Sequence, residues 1–271
     1  MTSGRTVASK DGTRIAFDVA GTGPALILIG GMFEYRAWES ETSRLATHPL
    51  LLEHFSVVHY DRRGRGESGD TPPYAVAREV DDLAALIDDV GGSAFLSGIS
   101  SGAALAFEGA LALGGGKVAA LALFEPPYSG DPEDREGSRA FAAELDATLA
   151  EGRHDDAVAL FIASFGASPE ELEELRRDPL WQFWEAVAPT MAYEVTVVGR
   201  DGSVPADRAR GIAVPTLVMA GSESFPFMQS TARTLADAIP GARLRVLDGQ
   251  THQVEPEALA PALVEFFESG R

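Results

Sequence analysis

Apolar residues along this chain gather into short unbroken runs, separated by turn residues and by longer amphipathic stretches. Runs of this kind cover residues 25–29, 56–60, 94–97, 119–124, 216–220 and 243–247, and the first stops at Gly30-Gly31. Apolar runs without alternation predict strands covered on both faces, as in a parallel sheet. Upstream, residues 5–8 and 14–20 flank Lys10-Asp11-Gly12, a turn signal between two short strands. Between the runs the period changes to that of a helix. Residues 74–90 carry Val76, Val80, Leu83, Leu86 and Ile87 on one side and acidic residues on the other. Residues 103–113, 229–239 and 258–269 read as further helices, the second stopping at Pro240-Gly241. This alternation of strand and helix predicts an α/β fold, a doubly wound and mostly parallel sheet.

Between residues 128 and 205 the alternation stops. That stretch reads as helices alone, over 134–151, 155–165, 169–177 and 180–198, and the strand pattern resumes at Thr216. The expected organisation is therefore a core of residues 1–127 and 206–271, with 128–205 inserted as a helical cap. Phe161, Phe165, Trp181, Phe183, Trp184, Met191 and Tyr193 crowd together in the insertion. Packing within a small helical layer accounts for most residues of this kind. An insertion laid over a sheet edge also makes a pocket, which some of them should face. The pocket candidates are Phe161, Trp181, Trp184 and Met191, with Gly31 and Phe33 from the end of the run at 25–29.

Composition narrows the partners. The chain has 271 residues and a formal charge of 22 − 41 = −19, which argues against nucleic acid and anionic membranes. There is no cysteine, so disulfides, thiolate catalysis and Cys-ligated metal are excluded. The polar start lacks the apolar run of a signal peptide, and no stretch approaches the ~18 consecutive apolar residues of a membrane helix. A soluble cytoplasmic protein acting on a small molecule is the expectation. Zinc-site spacing and a phosphate-binding P-loop are both missing, so no metal or cofactor is expected.

The candidate chemistry starts at Gly98-Ile99-Ser100-Ser101-Gly102, directly after the run at 94–97 and directly before the helix at 103–113. A G-x-S-x-G string in this strand–turn–helix setting meets the requirements of a nucleophile elbow. The turn is too sharp for side chains near the serine, and of the three nearby serines only Ser100 has glycine at both −2 and +2. Ser101 would add a backbone N–H at a helix start, where negative charge is favoured. A serine hydroxyl needs a base within hydrogen-bond reach. Of the five histidines, His252 alone follows the last predicted strand, in a loop on the same carboxyl edge as Ser100.

These features, with Asp61-Arg62-Arg63-Gly64-Arg65-Gly66-Glu67-Ser68 after the run at 56–60, resemble the α/β-hydrolase fold family along nearly the whole chain. The last segment is similar to the family's D-x-R-G-x-G-x-S loop, whose implied role is structural. The resemblance implies an oxyanion hole of two backbone N–H groups, Ser101 and Met32, with Gly31 as second choice for the latter. It also implies an acid after the run at 216–220, but that segment reads Gly221-Ser222-Glu223-Ser224, with serine at the expected Asp position. Glu223 is one residue out of register. Glu125, which ends the strand at 119–124, occupies a position from which some relatives take their acid, and is favoured over Glu223. Asp248 ranks third, and a site without an acid stays open. The nucleophile position holds serine, unlike the Asp-dependent epoxide hydrolases and haloalkane dehalogenases. The implied activity is hydrolysis of an ester or related acyl bond of a small lipophilic substrate. The alternatives are a lyase, a C–C hydrolase, a natural-product tailoring enzyme or a non-catalytic ligand binder on the same fold.

Overall fold

The apolar runs form the centre of an eight-stranded sheet in a computed structural model that describes residues 2–269. Met1 and residues 270–271, at the ends of the expected core segments, lie outside the described residues. The strands are β1 (Thr2–Ala8), β2 (Arg14–Gly21), β3 (Ala25–Ile29), β4 (Ser56–Tyr60), β5 (Ala94–Ile99), β6 (Val118–Phe124), β7 (Thr216–Gly221) and β8 (Arg243–Leu247). Their order across the sheet is β1-β2-β4-β3-β5-β6-β7-β8. The first hairpin is antiparallel and β2 pairs antiparallel with β4, whereas every pair from β4 to β8 is parallel. This is the doubly wound, mostly parallel α/β sheet that the pattern predicts.

Helices cross over both faces: α1 (Glu41–Ala46) and α2 (Pro49–His54) between β3 and β4, α3 (Val76–Asp89) before β5, and α4 (Ser101–Leu113) before β6. After β6 come α5 (Pro132–Ala150), α6 (His154–Ser164), α7 (Pro169–Leu175), α8 (Trp181–Val187), α9 (Met191–Val198) and α10 (Ala206–Ala209). Helix α11 (Pro226–Ala238) precedes β8, and α12 (Pro256–Glu268) follows it. Successive strand residues point to opposite faces. Ile27, Leu96 and Val218 thus pack with Leu83, Phe107 and Leu235 of α3, α4 and α11, while Leu26, Leu28 and Phe95 pack with Leu51 and Leu263 of α2 and α12. Helix α4 is apolar nearly all round because the sheet, α3 and α9 cover it.

Three expectations change. The run at 243–247 is not covered on both faces. As β8 it is the outer strand, with Leu244 42% and Val246 44% exposed, and its two arginines protect an open sheet edge. The helix expected over 180–198 breaks into α8, a 3-10 turn at Ala188–Thr190 and α9. Pro189 lacks an N–H and cannot sustain the α-helical ladder. Finally, the acidic side of α3 is not all solvated, since Glu79 and Asp82 are buried against Arg62 and Arg63. The short helices α1 and α10 carry no long apolar period and have no counterpart among the expected elements.

The stretch between β6 and β7 is built around its own apolar cluster of Leu145, Ala157, Val158, Trp181, Ala188 and Met191. Its two ends meet in a single bridge between Ser129 and Ser203. Among the described residues, no helix is long and apolar enough to cross a membrane.

Candidate active site

The carboxyl ends of β3, β5, β6, β7 and β8 lie side by side, and each contributes a residue to one small region. Strand β5 enters it through the elbow. A side chain at Gly98 would place its Cβ 2.6 Å from Ala103 Cα, and one at Gly102 would come 2.5 Å from Gly30 O. Backbone therefore passes backbone too closely for any side chain at either position. Ser100 between them is forced to φ 56°, in the left-handed region that L-residues avoid. Its N–H donates to Phe124 O at 2.9 Å, and its carbonyl accepts from Ala103 N at 2.9 Å. We expect Gly102→Ala to destabilise the fold by about 3 kcal/mol or more, because the neighbour is main chain and cannot give way. Urea denaturation of the purified variant measures this.

Among the described residues one other non-glycine has positive φ: Glu125, at 46°, directly after β6. Its carboxylate is fully buried. Oε1 accepts from Gly221 N at 2.7 Å, and Oε2 accepts from Ser224 Oγ at 2.7 Å. Oε2 also lies 2.7 Å from His252 Nδ1, while His252 Nε2 lies 3.2 Å from Ser100 Oγ. With the carboxylate accepting from Nδ1–H, Nε2 is left to accept the serine proton. His252 comes from the loop after β8 and keeps 24% of its side chain exposed, open to a substrate. Glu223 and Asp248 are exposed and make no hydrogen bond to His252. The serine at the expected Asp position thus does not leave the imidazole without a carboxylate. Strands β6 and β7 are parallel neighbours, with Phe124 opposite Met219, so a carboxylate one strand over reaches the same imidazole.

Strand β3 supplies Gly31 and Met32. The Cβ of a residue at 31 would lie 3.2 Å from Ser100 Cβ, a tight contact that glycine avoids as the loop approaches the serine. Ser101 opens α4, where the first N–H groups have no partner within the helix. Met32 follows Gly31 in this loop, and Ser101 follows Ser100 at the start of α4. Phe33 stacks on Trp184 at 5.4 Å and meets Phe161 edge-on at 5.2 Å. Trp184 in turn touches Trp181, whose indole donates to Asp155 Oδ1 at 2.8 Å. Met191 has no exposed surface and Trp181 only 5%. These two pocket candidates pack inside the helical layer, leaving Phe33, Phe161 and Trp184 as its half-buried aromatic face.

Charge under the site is dense and paired. Asp61 accepts from Arg36 N and Glu67 N, and Arg63 forks onto Asp82, which ties the loop down as its sequence implies. Sequence reasoning missed the second layer. Arg62 pairs with Glu79 and Glu194, Arg65 pairs with Glu194, and all four are buried. Burial pushes the Glu79 carboxyl up, but Arg62, the Tyr74 hydroxyl and Arg65 together hold the group below its ordinary value. Glu194 lies far along the chain on α9, and no local pattern links it to this loop. Burial, then the nearby Glu34 carboxylate, push Glu41 up. Among the described residues no group of three or more His, Cys, Asp or Glu is arranged to hold a metal ion.

Comparison with known proteins places this geometry in context. A family model described as the alpha/beta hydrolase family matches residues 26–262. The chain is 47% identical to an alpha/beta hydrolase from Sphaerobacter thermophilus DSM 20745, with a TM-score of 0.84 over 97% of this chain and 100% of that one. It is 27% identical to a hydrolase from Pseudomonas aeruginosa PA01, with a TM-score of 0.74 over 98% of each chain. A thermophilic esterase from Thermogutta terrifontis shares the fold at 24% identity, with a TM-score of 0.69 over 99% of each chain. Among curated proteins, a probable oxidoreductase EphD of Mycobacterium tuberculosis is 36% identical over 92 residues. That match spans 32% of this chain and only 14% of the relative's length.

Proposed function

This chain belongs to the alpha/beta hydrolase family, and we propose that it is a serine esterase acting on small lipophilic carboxylic esters or related acyl compounds. In this reading Ser100 Oγ attacks the carbonyl carbon while His252 Nε2 takes its proton. The oxyanion forms against the N–H groups of Met32 and Ser101, donors worth roughly 3 kcal/mol each at the transition state. His252 then returns the proton to the departing alcohol, leaving an acyl group on Ser100. Water enters by the same route in reverse, again with His252 as base. Glu125 holds the Nδ1–H tautomer and stabilises the imidazolium as it forms. The sequence of steps needs no cofactor.

One observation carries this reading: the continuous line from Glu125 Oε2 through His252 to Ser100 Oγ, at 2.7 and 3.2 Å. Its two ends are the two non-glycine residues held at positive φ among the described residues. Backbone strain of order 1–3 kcal/mol per residue persists where surrounding structure enforces it, and clusters at reactive sites. A fluorophosphonate probe tests the reading directly. Wild type becomes labelled and hydrolyses p-nitrophenyl esters; a chain that does neither is not a serine esterase.

The lipophilic preference is supported by Phe33, one residue beyond the proposed Met32 donor, and by its contacts with Phe161 and Trp184. Helices α5–α9 would then serve as the cap whose aromatic face contacts the acyl or alcohol group. Phe33→Ala is expected to lower kcat/KM for p-nitrophenyl hexanoate about tenfold, the value of a lost aromatic contact, with acetate changed less. Equal losses on both esters would argue against this pocket.

A further inference from the structure

We propose that Arg65 is a positioning residue for the oxyanion hole, holding the Gly31–Met32 peptide so that the Met32 N–H faces Ser100; this rests on the esterase reading above. Arg65 occupies a variable position of the D-x-R-G-x-G-x-S pattern, and its side chain is buried, with 1% exposed. Nη1 donates to Gly31 O at 2.7 Å and to Glu34 O at 3.1 Å. Nε donates to Thr190 Oγ1 at 3.0 Å, and Nη2 pairs with Glu194 of α9. One rigid fork therefore joins the β3 exit loop to the helical layer.

The chemistry explains why such a clamp is needed. A side chain at Gly31 would crowd Ser100, its Cβ lying 3.2 Å from Ser100 Cβ, and glycine avoids that contact. Glycine is also the residue least able to hold its own backbone conformation. The loop solves this from outside. Gly31 N–H donates to Glu34 Oε2 at 2.6 Å, and that carboxylate is itself fixed by Thr42 N at 2.8 Å and Thr42 Oγ1 at 2.7 Å. Gly31 C=O accepts a short bond from Arg65 Nη1 and a longer one, at 3.3 Å, from Glu34 N. Because a trans peptide points its C=O and N–H in opposite directions, holding the Gly31 carbonyl toward Arg65 aims the Met32 N–H away from it. A cation on the carbonyl also polarises the peptide and strengthens that N–H as a donor. The donor is thus set before substrate arrives, the condition under which an oxyanion hole is effective.

The test must separate positioning from folding. Arg62, Arg65, Glu79 and Glu194 together carry no net charge, so removing Arg65 alone would leave two buried carboxylates sharing Arg62, one negative charge in excess. The balanced variant is Arg65→Met/Glu194→Gln, with Glu194→Gln alone as its control and Arg65→Lys as a second, charge-conserving variant. The double variant is expected to lose about tenfold or more in kcat on p-nitrophenyl hexanoate, a share of the ~100-fold cost of losing a whole oxyanion donor. KM stays nearly constant, and the inhibition constant for phenylboronic acid, which forms a tetrahedral adduct on the serine, rises by the same factor. Glu194→Gln retains near wild-type kcat although its Tm falls, because the Arg65–Gly31 bond remains. Arg65→Lys is intermediate, since one ammonium cannot span both Gly31 O and Glu194. A double variant whose kcat matches the control, or whose loss lies in KM alone, overturns the inference; if it does not fold, wild-type kcat in Arg65→Lys does so. Wild type without turnover or boronate affinity overturns the esterase reading itself.

Discussion

Ser100→Ala is expected to abolish fluorophosphonate labelling and to lower ester kcat by about a millionfold, the scale on which loss of a catalytic serine acts. The residual rate would come from the proposed Met32 and Ser101 donors, which would still stabilise an oxyanion formed by attacking water. The neighbouring serines cannot substitute: Ser97 lies in β5 and the Ser101 side chain is buried. A second variant separates catalysis from stability. Ser100→Gly removes the same hydroxyl but accepts φ 56° without strain, so it should be equally inactive and more stable by about 1 kcal/mol. Thermal unfolding of the two variants beside wild type measures this. An active Ser100→Gly would mean that another group is the nucleophile, and a less stable one that the left-handed turn is not strained.

Glu125→Gln carries the second large effect, a fall in kcat of about ten-thousandfold, with Glu223→Gln within twofold of wild type. The argument is one of hydrogen-bond polarity. Gly221 N, Ser224 Oγ and His252 Nδ1 all converge on the Glu125 carboxylate, which accepts at both oxygens. An amide offers one oxygen and one NH2. Facing NH2 toward His252 forces the imidazole into the tautomer whose Nε2 carries hydrogen, and it can no longer accept from Ser100. Facing it toward Gly221 sets two donors against each other in a buried place, which costs about 1–3 kcal/mol. Glu223 is exposed and has no part in this arrangement. Steady-state kinetics on p-nitrophenyl hexanoate with both variants decide it; loss in Glu223→Gln alone would transfer the acid role to the β7 loop.

Local pattern carried much of this molecule. Short unbroken apolar runs mark the buried parallel strands because both faces of such a strand must be apolar. Gly98-Ile99-Ser100-Ser101-Gly102 marks its own turn, because the close backbone approach that excludes side chains is a local consequence of strand turning into helix. His252 was legible from its order after the last run. What the sequence left open depended on which strands are neighbours. The choice between Glu125 and Glu223 follows from β6 lying beside β7, with Glu125 turned inward at φ 46° and Glu223 outward. The exposure of Leu244 and Val246 follows from β8 having one neighbour instead of two. The burial of Arg62 and Arg65 follows from Glu194, more than a hundred residues away, arriving on α9. A charged residue reads as solvated until a distant partner is placed against it. Local pattern therefore accounts for the alternation of elements and the sharp turn at Ser100, which are governed by interactions between near neighbours, and chain order for the placing of His252. Only the tertiary structure decided which carboxylate meets the imidazole and which cations lie beneath the β3 loop, because those pairings are set by sheet order and helix packing.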